Sequence, residues 1–166
     1  FWKLPKTNSL KPIDINEAVK HALNLIERQL YSHGVFIETK LAKQKLLICA
    51  ESIHIEQIIL NIVTNAIHSL DDSNQKDKRI HICTRSKGDH AEIKISDNGS
   101  GFALEVGEKI YDPFYSTKSP DKGMGLGLAI VKNYVEKYNA DIKAGNKKSG
   151  GAEFVITFKK NEGAES

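Results

Sequence analysis

Between residues 51 and 70, apolar side chains recur every three or four positions, which predicts an amphipathic helix. The stripe consists of Ile55, Ile58, Ile59, Ile62, Val63, Ala66, Ile67 and Leu70. The same spacing predicts an earlier helix that begins near Asp14, with Asp14 and Glu17 as a capping box, and ends at Gly34. A third long helix is predicted from about residue 126 to residue 138.

Short apolar or alternating runs predict strands over residues 35–41, 45–50, 79–86, 91–97, 140–145 and 152–160. The turn KGDH (87–90) joins two of them as a hairpin, and NKKSGG (146–151) joins the last pair. Helices fall between pairs of adjacent strands and do not alternate regularly with single strands. This order favours an α/β fold, a two-layer sandwich in which a mixed, largely antiparallel sheet packs on three helices.

Composition narrows the class of protein. The chain has 166 residues, 40% of them hydrophobic, which is enough for one packed domain. A net charge of +3 is too small to predict nucleic acid as a partner. The two cysteines lack CxxC spacing, and no apolar run reaches the roughly 18–20 residues of a membrane span. We therefore expect a cytoplasmic domain, with any membrane anchor of the full-length protein in segments outside this sequence.

A polar row accompanies the apolar stripe of the second helix. Gln57, Asn61, Asn65 and His68 recur at helical spacing. Asparagine is a poor helix former, and exposed helix faces usually carry Lys and Glu instead. Carboxamide oxygens are hard neutral ligands that suit Mg²⁺ together with substrate phosphates. The alternative is that the row simply faces solvent.

The segment SDNGSGF (96–102) places a carboxylate where a predicted strand must turn. Gly99 and Gly101 permit backbone angles that other residues avoid. Asp97 could therefore accept a hydrogen bond from the edge of a base, such as the amino group of adenine. The alternative is an ordinary Asx turn without a ligand.

The segment GMGLGLAI (123–130) leads three alternate glycines into a helix, where main-chain N–H groups and the helix dipole favour phosphate. Its spacing is neither that of a Rossmann loop nor that of a Walker A loop. The preceding DPFYSTK (112–118) combines aromatic and polar residues as a hinged lid would. Lys118 is a candidate phosphate contact, although it could equally be solvated.

In this order and spacing, the segments resemble the ATP-binding catalytic domain of two-component sensor histidine kinases, within the superfamily shared with DNA gyrase, heat-shock chaperones and MutL-type proteins. The N box is EQIILNIVTNA, the G1 box DNGSG, the F box PFYSTK and the G2 box GMGLGLAI, with a last glycine turn at GGAEF. The resemblance implies a Bergerat-type fold and ATP and Mg²⁺ as cofactors. It runs from about residue 13 to residue 158.

The resemblance also implies site roles. Asn65 would coordinate the Mg²⁺ that bridges the ATP phosphates, with Asn61 supporting metal or phosphate, and these two asparagines are the candidate catalytic residues. Asp97 would accept the adenine amino group, in a pocket shaped by Gly99 and Gly101. The lid and its phosphate side would be formed by Phe114, Thr117, Lys118, Gly123, Gly125, Leu126, Gly127 and Leu128.

The activity that the resemblance implies is transfer of the γ-phosphoryl group of ATP to a histidine on a separate domain of the same or a partner chain, with a response regulator downstream. None of the six histidines here is followed by Glu or Asp, so none matches the family's phosphoacceptor motif. We expect residues 1–12 to be a linker remnant from a preceding dimerisation and phosphoacceptor domain, 13–160 the ATP-binding domain and 161–166 a tail.

Two alternatives remain open. One is a conformationally coupled ATPase of the gyrase or chaperone type. In such relatives a water-activating glutamate stands where this chain has Asn61, and asparagine cannot act as that base. The other is a nucleotide-responsive binding module with a degenerate site. Two further departures from the family pattern are His68, where relatives often carry Lys or Arg, and Ala152, where a threonine often meets adenine.

Overall fold

The computed structural model describes residues 10–102, 107–113 and 127–161. In chain order the elements are β1 (Pro12–Asp14), α1 (Ile15–Ser32), β2 (Val35–Lys40), β3 (Leu47–Cys49), α2 (Ser52–Asp72), β4 (Lys78–Lys87), β5 (His90–Asp97), a 3₁₀-helix (Gly107–Tyr111), α3 (Gly127–Lys137), β6 (Asp141–Asn146) and β7 (Ala152–Lys159). The predicted helices and strands are all present, with ends shifted by a few residues.

The main sheet has five strands in the order β2-β4-β5-β7-β6. Strand β2 runs parallel to β4, and the other neighbours are antiparallel. The predicted mixed, largely antiparallel sheet is therefore confirmed. Strand β1 was not predicted. Its three residues pair antiparallel with β3 in a separate two-stranded sheet, and this pairing joins segments more than thirty residues apart.

The three α-helices pack on one face of the sheet, with α2 in contact with both α1 and α3. Burial of the predicted stripe of α2 is complete, since all eight of its apolar residues are at most 3% exposed. Inward-facing residues of the central strands meet this stripe, among them Ile82, Ile93, Ile95 and Ile156. Isoleucine thus dominates both layers of the core, and its branched Cβ fits the pleated surface of a sheet.

The start of α1 is capped differently from the predicted box. Asp14 accepts the amide of Asn16 at 3.0 Å and the amide of Leu46 at 3.1 Å. Glu17 pairs instead with Lys20, at 3.2 Å. The Asp14 cap is therefore confirmed but the reciprocal glutamate bond is wrong, because Glu17 faces a cation one turn further along the helix. The predicted end at Gly34 is confirmed by its φ of +67°.

His54 joins the start of α2 to the end of α3. Its ring stacks on Tyr134 with centroids 4.4 Å apart, and its Nδ1 lies 2.5 Å from Tyr138 Oη. Tyr138 Oη also accepts the amide of Glu51 at 3.2 Å. Burial, and then the charge of Lys137, lower the pKa of His54 below its ordinary 6.5, against a smaller opposing effect of Glu51. His54 therefore has a structural role, because it links the start of α2 to Tyr134 and Tyr138.

In the part of the chain that the structure describes, no helix combines the length and apolar character needed to cross a membrane.

Candidate nucleotide site

Residues 97–99, here called the aspartate turn, lie at the end of β5. Asp97 is 4% exposed. Its Oδ1 accepts the amide of Gly99 at 2.8 Å and the amide of Ala152, at the start of β7, at 3.4 Å. The Asx geometry considered as an alternative is therefore present, and it uses one carboxylate oxygen. Oδ2 has no hydrogen-bond partner among the residues that the structure describes, so the turn leaves one acceptor for a ligand.

The pKa shift of the Asp97 carboxyl group also favours a hydrogen-bond donor from a ligand at Oδ2. Burial raises the pKa of Asp97, while the amides of Gly99 and Ala152 and the charge of Lys147 act in the opposite direction without cancelling the rise. A buried carboxylate is costly unless donors meet both of its oxygens. A ligand that donates a hydrogen bond to Oδ2 would favour the charged form of Asp97 and so oppose the effect of burial.

Gly151 lies directly against this turn. Its φ is +92°, and a Cβ at this position would overlap the carbonyl oxygen of Asp97 and lie 3.0 Å from Cα of Asn98. Only glycine combines this φ with so close an approach. The turn between β6 and β7 is thus part of the site, which gives a structural role to the glycine turn GGAEF.

One face of α2 forms the opposite wall. Asn61, Asn65 and Ser69 are four residues apart, so they lie in a row on the same face of the helix. At one end of the row, a Cβ on Gly99 would lie 2.9 Å from Ser69 Oγ. At the other end, a Cβ on Gly127 would lie 3.4 Å from Asn61 Oδ1. Asn65 therefore lies on α2 between the aspartate turn and the start of α3.

Asn61 carries an unpaired donor. Its Nδ2 is buried and has no hydrogen-bond partner among the described residues. A buried amide without a partner costs about 1–3 kcal/mol, so such groups usually have a reason. The adjacent Gly127 begins α3, and the N–H groups and dipole at a helix N-terminus favour an anion. A phosphate oxygen would satisfy both the amide and the helix terminus.

The structure brings together five of the predicted site residues along this wall and turn, namely Asn61, Asn65, Asp97, Gly99 and Gly127. Gly101 follows the aspartate turn with a φ of +76°, and Leu128 lies half-buried in the first turn of α3. The remaining predicted residues lie outside the described ones: Phe114, Thr117, Lys118, Gly123, Gly125 and Leu126.

Sequence reasoning missed three residues of the site. Ser69 looked like one more polar residue of α2, although its spacing of four from Asn65 was a usable signal. Gly151 was recognised as a turn glycine but not as a neighbour of Asp97. Asn146 begins the turn predicted over residues 146–151, and its bonds to Phe102 are not predictable from the sequence because the two residues are 44 positions apart.

Sensor histidine kinases are among the known proteins with similar sequences and folds. Sensor histidine kinase ZraS of Klebsiella oxytoca is 30% identical over 145 residues, which cover 87% of this chain and 30% of that protein. Among solved structures, the mycobacterial sensor histidine kinase MprB matches with a TM-score of 0.78 at 22% identity, covering 92% of this chain and 98% of that one. Histidine kinase ThkA in complex with response regulator protein TrrA matches with a TM-score of 0.76 at 20% identity, covering 93% of this chain and 43% of that one.

The chain spans about a third or less of the length of the first curated relatives it matches. The family described as histidine kinase-, DNA gyrase B- and HSP90-like ATPase matches residues 50–162. This match begins just before α2 and includes both walls of the site. The chain therefore belongs to the family of histidine kinase-, DNA gyrase B- and HSP90-like ATPases.

Proposed function

We propose that this chain is the ATP-binding catalytic domain of a sensor histidine kinase, which holds ATP and Mg²⁺ and donates the γ-phosphoryl group to a histidine on a separate domain. The observation that carries the proposal is the buried Asp97 carboxylate beside the α2 row that presents Asn61 and Asn65. Membership of the ATPase family and the similarity to sensor histidine kinases support it.

Asp97 gives the site its base preference. Its Oδ2 is an acceptor, and adenine carries an amino donor where guanine carries a carbonyl oxygen. Adenine would therefore gain a hydrogen bond to a charged group, whereas guanine would place a second acceptor against a buried carboxylate. We expect the domain to bind ATP and ADP in preference to GTP.

Among the described residues, the phosphate end of the site is lined by the neutral side chains of Asn61 and Asn65. Asn61 Nδ2 would donate to a phosphate oxygen, and Asn65 would offer its carboxamide oxygen to Mg²⁺, together with phosphate oxygens. The described residues hold no group of three or more His, Cys, Asp or Glu suited to a metal ion, so the ion would depend on the nucleotide for most of its ligands. Mg²⁺, when bound, would neutralise charge on the phosphates.

The reaction asks the domain to position ATP. An imidazole nitrogen of the acceptor histidine forms a bond to Pγ, the bond from Pγ to the bridging oxygen breaks, and ADP leaves. Asn61 cannot remove a proton from water, so hydrolysis by the domain alone should be slow. A response regulator is the proposed downstream partner, as in the ThkA complex with TrrA.

The first test is a thermal-shift measurement of the 166-residue chain with ATP, ADP or GTP, each with and without MgCl₂. Stabilisation follows RT ln(1 + [L]/Kd), so a ligand at 100 times its Kd should add about 2.7 kcal/mol. We expect stabilisation by ATP and ADP that exceeds that by GTP, with the ATP effect larger in MgCl₂. Equal melting temperatures in all conditions would contradict the proposal.

The second test separates a kinase from the alternatives. The chain is mixed with labelled ATP and the purified histidine-containing domain of its full-length protein, and acid-labile phosphohistidine and released ADP are both measured. Phosphohistidine formed in step with ADP supports the kinase. Rapid ADP release without phosphohistidine would indicate a coupled ATPase, and nucleotide binding with neither product would indicate a binding module.

A further inference from the structure

The side chain of Asn146 is hydrogen-bonded to the main chain of Phe102, which follows the aspartate turn, and this contact is here called the clasp. Asn146 is the last residue of β6, and its carboxamide makes two hydrogen bonds to one residue. The amide of Phe102 donates to Oδ1 at 2.7 Å, and Nδ2 donates to the carbonyl oxygen of Phe102 at 2.8 Å. The side chain therefore pairs with the main chain of Phe102 as a neighbouring strand would.

Gly101 is shaped to allow this clasp. Its φ is +76°, and a Cβ there would lie 2.6 Å from Asn146 Oδ1 and 3.6 Å from the carbonyl carbon of Gly151. The Phe102 ring meets Phe154 of β7 edge-on, with centroids 5.5 Å apart. The contact is thus built by a backbone conformation, a close approach and a packed ring together.

The segment from Asp97 to Phe102 is consequently held at both ends by one turn. Gly151 and Ala152 contact Asp97, and Asn146, at the other end of the same turn, contacts Phe102. We propose that Asn146 is a positioning residue for nucleotide binding, which acts through the main chain of Gly101 and Phe102 to hold this segment in its binding conformation. This inference rests on the proposed function.

Because the two hydrogen bonds lie at the surface, a role in nucleotide binding can be distinguished from a role in the stability of the fold. Both bonds are exposed to solvent, so their loss should affect the stability of the fold little. Without these bonds, the segment would have to become ordered when nucleotide binds, and this ordering would reduce the free energy of binding. The affinity for nucleotide should therefore fall. Asn146→Ala should therefore weaken binding far more than it lowers the melting temperature.

The experiment is calorimetric titration of the chain with ATP in MgCl₂. We expect Asn146→Ala to bind about tenfold more weakly, which corresponds to the loss of about one to two hydrogen bonds. Asn133→Ala, at an exposed position of α3, is the matched control and should bind like wild type. Wild type without measurable binding would refute the proposed function, whereas equal binding by wild type and Asn146→Ala would refute the role of Asn146 alone.

Two further measurements test the contact, the first of them on the wild-type chain alone. Amide hydrogen exchange on the wild-type chain should show protection at Phe102 without nucleotide, and an unprotected amide would overturn the clasp. Gly101→Ala should lose less affinity in the Asn146→Ala background than in wild type, because the clash with Oδ1 is gone. Strictly additive losses would overturn the proposed coupling.

Discussion

Gly151 packs its α-carbon against the main-chain carbonyl of Asp97 so closely that no β-carbon fits between them. The neighbouring Gly150 has a similar φ, +99° against +92° for Gly151, yet a Cβ at position 150 would meet nothing within 4 Å. The two glycines therefore separate two effects. Both require an unusual backbone angle, but only Gly151 is also required by the contact between the turn and Asp97.

Gly151→Ala should displace the aspartate turn. We expect a loss of at least about 2 kcal/mol in unfolding free energy and a large loss of ATP affinity, since backbone must move on one side of the contact. Gly150→Ala should cost about 1 kcal/mol from backbone strain alone and keep its affinity. Urea unfolding and calorimetric titration measure both quantities. Similar values for the two variants would show that the close approach is unimportant.

Asp97→Asn should separate stability from function. The carboxamide keeps an acceptor for Gly99 and Ala152 but removes a buried charge, so the variant without ligand should be at least as stable as wild type at pH 7. ATP binding should weaken about 10- to 100-fold, because a hydrogen bond to a charged group worth roughly 1.5–3 kcal/mol is lost. Calorimetry that shows unchanged affinity would remove Asp97 from the site.

The pH dependence of this variant provides an internal check. Because burial raises the pKa of Asp97 in the folded state, the folded protein binds its proton more tightly than the unfolded chain does. The cost of the carboxylate is fully present above the folded pKa and disappears as pH falls through it towards the ordinary 3.8. The stability advantage of Asp97→Asn should therefore shrink in acid. An advantage that grows in acid would contradict the assigned direction.

Asn61→Ala should lower the affinity for the phosphates of ATP without lowering the free energy of unfolding. The substitution removes a buried amide that lacks a partner among the described residues, and alanine is the better helix former, so unfolding free energy should stay equal or rise by up to about 1 kcal/mol. ATP affinity in MgCl₂ should fall roughly tenfold. Asn24→Ala, on the exposed face of α1, is the control. Loss of stability with intact binding would make Asn61 a core residue only.

His54 should make the fold sensitive to acid. Its pKa is lowered in the folded state, so the unfolded chain binds the proton first and stability is lost as pH falls below about 6.5. His54→Phe keeps a ring to stack on Tyr134 and removes this dependence. Urea unfolding at pH 7.5, 6.5 and 5.5 should show wild type losing stability relative to the variant. His21→Asn, at an exposed position, should behave like wild type.

Sequence patterns predicted the layers of the fold because those patterns are local. The stripe of α2 and the alternation in β4, β5 and β7 each record which side of one element is buried. The pairing of β1 with β3 was missed because it depends on a loop between distant segments. Likewise, the Asp14 cap was predictable from neighbouring residues, whereas its bond to Leu46 was not.

The residues of the candidate site also differ in whether the sequence alone can predict them. Asp97 and Asn65 could be predicted as site residues because their residue types are unusual where they stand. Gly151 and Asn146 were not, because glycine and asparagine are ordinary in a turn and their roles come from what the turn packs against. A residue that holds another part of the main chain cannot be recognised from its sequence neighbours, because its contacts are made with a distant segment.

The buried isoleucines of α2 have a consequence for how the protein assembles. Branched side chains make a weak helix in isolation, so α2 depends on the sheet beneath it to form at all. Strand β5 of the sheet that supports α2 ends at Asp97. We therefore expect the two sides of the candidate site to unfold together, so that bound nucleotide raises the free energy of unfolding of both.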